Sequence, residues 1–180
     1  MKSSENIQEL IQLLSESSKT HYNTILNSFN FDTIDFKDFE SWSSEKYTRN
    51  CIFKDHQFEL ILLCWNKGQE TKIHNHSSED CWVYLLKGEM EEVFYSLDNS
   101  NCLKEEFSQT IVPHQLSFMN DNLGFHKLRN SFEGQSLSLH VYAKPIEQCD
   151  FYCETSEQFI EKQLRYDTFK ELISTSKETF

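Results

Sequence analysis

The chain has 180 residues, 38% of them hydrophobic and 14% aromatic, which suits one packed domain and leaves little room for two. With only 4 Gly and 2 Pro, collagen-like repeats and long flexible linkers are excluded. A formal net charge of -12 disfavours nucleic acid and anionic membrane as partners, because those surfaces attract basic patches.

The stretch from Met1 to Leu14 is polar and helical in pattern. Ile7, Leu10, Ile11 and Leu14 recur at i, i+3, i+4 and i+7 and form one apolar stripe. It has no apolar core followed by a small-residue cleavage site, and no run in the chain approaches bilayer length. A cytoplasmic, non-membrane protein is expected. Its six cysteines, Cys51, Cys64, Cys81, Cys102, Cys149 and Cys153, are then expected to stay reduced, and no second pair accompanies Cys149 and Cys153 at zinc-ribbon spacing. Further short helical patterns cover Tyr22–Phe29 and Phe36–Trp42 and end near Tyr47. They are too short to stand alone and should pack on the remainder of the chain.

From Tyr47 the texture becomes short β-type runs. Phe58-Glu-Leu-Ile-Leu-Leu-Cys-Trp65 is nearly continuous and apolar, as in a strand buried on both faces. Trp82–Leu86, Glu92–Tyr95, Gln109–Val112, Leu116–Met119 and Leu137–Ala143 come next, with turns at Lys87-Gly88, Asp98–Asn101, Asn120–Asn122 and Glu133-Gly134. Even spacing of short strands predicts a mainly β sandwich or barrel with a few N-terminal α-helices. Phe159–Phe169 reads equally as strand or helix. No exposed apolar helix or coiled-coil pattern calls for a partner subunit, so a monomer is expected.

The strongest local feature is Ile73-His74-Asn75-His76. In an extended segment alternate side chains share a face, so two imidazoles could grip one divalent cation from one side. Two solvent-facing histidines in a polar turn are the bland alternative. Gly68, six residues before His74, and Gly88, twelve after His76, extend the feature. Together these residues resemble the first motif of the cupin superfamily, G-x5-HxH-x3,4-E-x6-G, with Cys81 where a ligand glutamate usually stands. His126-Lys-Leu-Arg-Asn130 matches H-x3-N of the second motif. The resemblance implies a small jelly-roll barrel and a facial set of His74, His76 and His126. Without a carboxylate ligand, three neutral imidazoles would leave the full +2 charge on the metal and favour an anionic thiolate.

The chain is more specifically similar to the type I cysteine dioxygenases over about Tyr47 to Cys149. That similarity is carried by His74-Asn-His76-Ser-Ser-Glu-Asp-Cys81, Gly124-Phe-His126-Lys127, Ser138-Leu-His140-Val-Tyr142 and Tyr47-Thr-Arg49. Ser138, His140 and Tyr142 share one strand face, a polar row that inside a barrel must bond to itself or to a ligand. A solvent-facing strand edge is the alternative.

The resemblance implies one Fe(II) per chain and oxidation of L-cysteine by O2 to cysteine sulfinic acid, the opening step of cysteine catabolism. Arg49, helped by the Tyr47 hydroxyl, would clamp the substrate carboxylate, and Ser138 and His140 would orient Tyr142. Cys81 and Tyr142 would be joined by a thioether in the manner of the animal enzymes. Cys149 would lie at the pocket mouth. Related mercaptopropionate dioxygenases carry glutamine at the position matching Arg49, so arginine favours cysteine. Tyr142-Ala-Lys-Pro145 departs from the family's usual Ser-Pro-Pro. A different thiol substrate, such as 3-mercaptopropionate, or a non-catalytic metal-binding cupin is the alternative. The expected organisation is one domain over 1–180: a helical part at 1–46 packed on a barrel core of 47–153, then an extension at 154–180.

Overall fold

The computed structural model describes residues 3–170, so part of the expected extension, 171–180, lies outside the described residues. Two helices lead, α1 (Ser3–Ser15) and α2 (Tyr22–Ser28). Strands β1 (Thr48–Lys54), β2 (Glu59–Trp65), β3 (Asp80–Lys87), β4 (Met90–Leu97), β5 (Leu103–Ile111) and β6 (Leu116–Met119) succeed them. Then come β7 (Phe125–Asn130), β8 (Ser136–Ala143), β9 (Gln148–Cys153), β10 (Gln158–Gln163) and β11 (Thr168–Phe169). The ambiguous Phe159–Phe169 stretch therefore contributes strand and no helix. Phe36–Trp42 is not a helix beyond one 3-10 turn at Lys37–Phe39. That turn suffices, because its i, i+3 spacing already buries both Phe36 and Phe39.

The strands form a six-stranded sheet in the order β11-β1-β2-β8-β3-β6, a three-stranded sheet β5-β4-β7 and a hairpin β10-β9. β2 and β8 lie inside the large sheet, and β2 is buried along its whole length, as its apolar run predicts. The reason lies in what covers each face. Leu60, Leu62 and Cys64 of β2, Trp82 and Tyr84 of β3 and Leu137, Leu139 and Val141 of β8 share a core with Ile7, Leu10 and Leu14 of α1 and Tyr22 and Leu26 of α2. The α1 stripe thus docks on the outside of the sheet, and each fully buried Leu or Ile there contributes roughly 2 kcal/mol.

Alternate residues of the same strands point inward. Ile61, Leu63, Trp65, Cys81, Val83, Leu85 and Tyr142 meet Met90, Ile111 and Leu128 of the smaller sheet in a second core. The floor of this inner core is apolar, and its other end carries the histidines. Among the described residues no helix is long and apolar enough to cross a membrane.

Candidate metal and substrate site

His74 and His126 are brought together by their own backbones. His74 N–H donates to the His126 carbonyl at 3.0 Å, and His126 N–H returns the bond to the His74 carbonyl at 3.1 Å. This isolated antiparallel bridge ties the segment before β3 to β7 and sets the two rings 4.7 Å apart, centroid to centroid. The His76 ring lies 5.2 Å from His74 and 4.8 Å from His126. Its position depends on a sharp turn. Ser77 and Ser78 adopt φ of 49° and 71°, and the Asp121 carboxylate fixes the turn by accepting the His76 N–H at 2.8 Å and the Ser78 N–H at 2.6 Å.

Gly124 makes the entry of His126 possible. Its φ is 97°, and a Cβ there would collide with the Tyr95 carbonyl oxygen on β4. A glycine two residues before this histidine is therefore a steric requirement of the Gly-Phe-His sequence.

The three histidines each offer one ring nitrogen, and these atoms all lie within 4.8 Å of one another. The set fits a divalent metal on two observations. His74 Nδ1 sits 2.9 Å from the Lys72 carbonyl, to which it donates, so its Nε2 lone pair is available. His126 Nδ1 is 2.7 Å from Glu92 Oε1, while its Nε2 is buried without a hydrogen-bond partner. Burial, with the neighbouring His126 as the next cause, pushes the His74 imidazole down to about 3 and holds His76 well below the usual histidine range. These two rings are thus neutral, the form that binds metal.

Glu92 has no place among the motif residues read from the sequence, and it adds a carboxylate behind the three-histidine set without joining it. It is fully buried on β4 and also accepts from Ser117 Oγ at 2.5 Å and Gln109 Nε2 at 2.8 Å. Burial alone raises its pKa, but the bonds from His126, Ser117 and Gln109 outweigh that and hold it below the usual carboxylate range. The negative charge missing at Cys81 is thus supplied one bond beyond the imidazole, where it fixes the His126 tautomer and increases its basicity. The signal was parity. Glu92 alternates with Met90 and Phe94, both buried, so it stands on the inward face of its strand.

The same pocket is lined by Tyr47, Arg49, His140, Tyr142 and Cys149. Arg49 is buried on β1, and its Nε and Nη2 have no hydrogen-bond partner. Burial works against its charge, but Tyr142, Glu59 and Tyr47 more than offset that, so the guanidinium remains a cation. Tyr47 stacks on Trp65 with ring centroids 4.5 Å apart, and its phenol is raised by burial. Cys149 is buried, which pushes its thiol up to about 12.

The polar row on β8 faces inward, not solvent: β8 is buried along its whole length, Tyr142 belongs to the inner core, and His140 and Tyr142 line the pocket. Trp65 Nε1 donates to Ser138 Oγ at 2.9 Å, and Ser138 Oγ lies 2.9 Å from His140 Nε2. An indole can only donate, so Ser138 accepts from Trp65, and the same hydroxyl is bonded to His140 Nε2. The other ring nitrogen of His140, Nδ1, is buried and unpartnered. Burial, then Arg49, keeps His140 well below the usual range. Its ring lies nearly parallel to that of Tyr142, centroids 6.3 Å apart. The Tyr142 ring is also 5.9 Å from the Arg49 guanidinium carbon. Cys81 and Tyr142 are direct cross-strand partners between β3 and β8, so their side chains share the inner face. Burial raises both the Cys81 thiol and the Tyr142 phenol, keeping each protonated.

Among the described residues, five buried side-chain polar atoms lack a partner: Arg49 Nε and Nη2, His76 Nδ1, His126 Nε2 and His140 Nδ1. All belong to residues of this one pocket. Such a concentration marks a ligand site, since each unpaired group costs stability unless something else satisfies it.

Comparison with known proteins agrees. The family model for cysteine dioxygenase type I matches residues 4–155. Cysteine dioxygenase type 1 of Danio rerio is 26% identical over 156 residues, covering 81% of this chain and 78% of that protein. The Homo sapiens protein of the same name is 26% identical over 129 residues, covering 69% of this chain but 64% of its own length, just under two thirds. Among solved structures, an uncharacterized conserved protein with a double-stranded β-helix domain from Klebsiella pneumoniae is similar in fold. Its TM-score is 0.50 at 14% identity, covering 73% of this chain and 96% of that one. The expectation of a mainly β, cupin-type barrel with N-terminal helices is met.

Proposed function

The chain belongs to the cysteine dioxygenase type I family, and on that premise we propose that it is an iron(II)-dependent dioxygenase converting L-cysteine and O2 to cysteine sulfinic acid. The observation that carries this reading is one pocket lined both by three convergent imidazoles and by a buried arginine with two free donors. His74, His76 and His126 would hold a single iron(II). When bound, the metal supplies the Lewis acidity that keeps a substrate thiol ionised and the redox chemistry that dioxygen requires. The overall reaction adds both oxygen atoms to sulfur, which gives up four electrons, so no external reductant or organic cofactor is needed.

The remaining work is done by the chain itself. Arg49 presents Nε and Nη2 as a fork for the substrate carboxylate, bidentate and charge-assisted in a buried setting. Tyr47, held flat against Trp65, adds a hydroxyl on the same wall. Tyr142 keeps its proton and so acts as a donor toward the pocket, not as a base. Trp65, Ser138 and His140 form a chain of bonds that locks the ring packed beside Tyr142. Fixed donors of this kind orient reactants and need no rearrangement during the reaction.

Cys81 is kept as a thiol by burial and belongs to the inner wall. Its pairing with Tyr142 supports a thioether between them, formed with dioxygen as oxidant by loss of the thiol hydrogen and one ring hydrogen. Intact mass after turnover, lighter by two hydrogen atoms, would register it.

The deciding experiment loads the protein with iron(II), supplies L-cysteine and O2, and measures oxygen uptake with product mass. Sulfinate formed in equal amount to oxygen consumed is the expected result. Iron-loaded protein that yields no sulfinate overturns the proposal.

A further inference from the structure

Glu59 is a second fully buried carboxylate, on the first residue of β2 and outside every motif of the resemblance. Its Oε1 lies 3.9 Å from Arg49 Nη2, near enough for charge attraction but too far for a hydrogen bond. A free carboxylate beside a guanidinium whose Nε and Nη2 are unpartnered would close that gap and form the bidentate pair both groups favour. Two donors hold it back. Ile146 N–H gives a bond to Oε1 at 3.2 Å, and the Tyr166 hydroxyl gives one to Oε2. Both oxygens accept, which is the pattern of the ionised form.

Tyr166 is delivered by the C-terminal segment, which binds the backbone around Arg49. Asp167 N–H donates to the Arg49 carbonyl at 2.8 Å, and Arg49 N–H donates to Asp167 Oδ2 at 2.9 Å. β11 then pairs in parallel with Asn50 and Cys51 of β1, and Thr168 Oγ1 donates to Asn50 Oδ1 at 2.8 Å. Leu164 of the same segment lines the pocket. The tail therefore carries one hydroxyl to one buried carboxylate with its own backbone well anchored.

We propose that Tyr166 tethers Glu59 away from Arg49, so that the guanidinium stays open to a substrate carboxylate, and that this pair sets the pocket's preference for carboxylate-bearing thiols. The inference rests on Arg49 being the carboxylate clamp. Glu59 and Tyr166 are positioning residues: neither needs to touch the substrate. Without the tether, Glu59 would itself occupy Nη2, and the substrate would have to displace an intramolecular competitor of very high local concentration. Without Glu59, the tether has nothing to hold and the guanidinium faces the substrate alone.

The test is an anaerobic binding titration of the iron-loaded protein with L-cysteine and with cysteamine, which has the thiol and amine but no carboxylate. Tyr166→Phe should weaken cysteine binding about tenfold and leave cysteamine within about twofold, as expected for loss of one coupled buried pair. Glu59→Gln should bind cysteine at least as well as the native protein. The double variant should recover the cysteine affinity that Tyr166→Phe loses, a rescue that a purely structural role would not produce. An unchanged cysteine affinity in Tyr166→Phe, an equal loss for both thiols, or a double variant no better than Tyr166→Phe overturns the inference. Arg49→Gln separates the two readings. If it leaves the cysteine-to-cysteamine ratio unchanged, the clamp reading fails; if it shifts the ratio while Tyr166→Phe does not, only the tether fails.

Discussion

The two faces of β2, β8 and β3 are buried alike and built for opposite purposes. The outer face, with Leu62, Leu139, Val141 and Trp82, meets the helices in a core without charged side chains. The inner face carries Ser138, His140, Tyr142 and Cys81, shares Arg49 of the neighbouring β1, and lines one pocket with the three histidines. Every buried side-chain polar atom left unpartnered among the described residues belongs to the inner side. At about 1–3 kcal/mol for each unsatisfied group, the inner face costs stability that the outer face must offset. A single strand thus separates holding the fold from holding a ligand by nothing more than residue parity.

That contrast can be broken most severely at a ligand. His74→Ala should weaken iron binding about a thousandfold, one ligand's share of a transition-metal site. It should leave the helix-covered core and the far-ultraviolet spectrum intact. Metal analysis of the purified variant checks it, and full iron occupancy would deny His74 its role. Leu139→Ala, on the outer face of the same sheet, should do the reverse. The buried leucine is worth about 3 kcal/mol, read as a lower denaturation midpoint, while iron per folded molecule stays unchanged. A Leu139→Ala protein that loses iron without losing stability would dissolve the division between the faces.

A subtler change sharpens the same comparison. Glu92→Gln keeps the shape but removes the charge behind His126, and should reduce metal affinity about tenfold to a hundredfold. Competition with a chelator measures it, and unchanged affinity would reduce Glu92 to a packing role. The smallest effect concerns pH. Burial raises the Glu59 pKa, which Tyr166, Arg49, the Ile146 N–H and Lys54 only partly offset, and Cys51, Cys81 and Tyr142 are the other ionisable groups that feel its charge. The folded state therefore holds that proton more tightly than the unfolded state. Stability from this group is full below the unfolded value near 4.3 and declines as pH rises through the folded value. Urea unfolding of the native chain and of Glu59→Gln should accordingly converge at low pH and separate as pH rises, with the native chain losing ground. The opposite trend would mean that Glu59 gains more from its partners than burial costs.

The metal set was legible because each of its two parts carries a local mark in the sequence. His74 and His76 are neighbours, and His126 carries its own glycine-marked entry. The polar row was legible because Ser138, His140 and Tyr142 alternate on one strand. Glu92, Trp65, Glu59 and Tyr166 were not, because their roles exist only through register. Trp65 reaches Ser138 across 73 positions, and Tyr166 reaches Glu59 across 107. In the sequence Trp65 ends an apolar run and Glu59 interrupts it, and neither says what lies opposite. The Phe36–Trp42 pattern erred for a related reason. Aromatic spacing of three residues is shared by a helix and by a single tight turn, and only the packing of Phe36 and Phe39 distinguishes them.

The reciprocal backbone bonds between His74 and His126 have a consequence for how such a site can evolve. Amide and carbonyl groups, common to all residues but proline, hold these two positions together, so the scaffold does not depend on which side chains it presents. A lineage can therefore exchange one donor for another, or retire a carboxylate from the Cys81 position and keep a charge at Glu92, without rebuilding the barrel. Chemistry can drift on this frame while the geometry that focuses it is inherited intact.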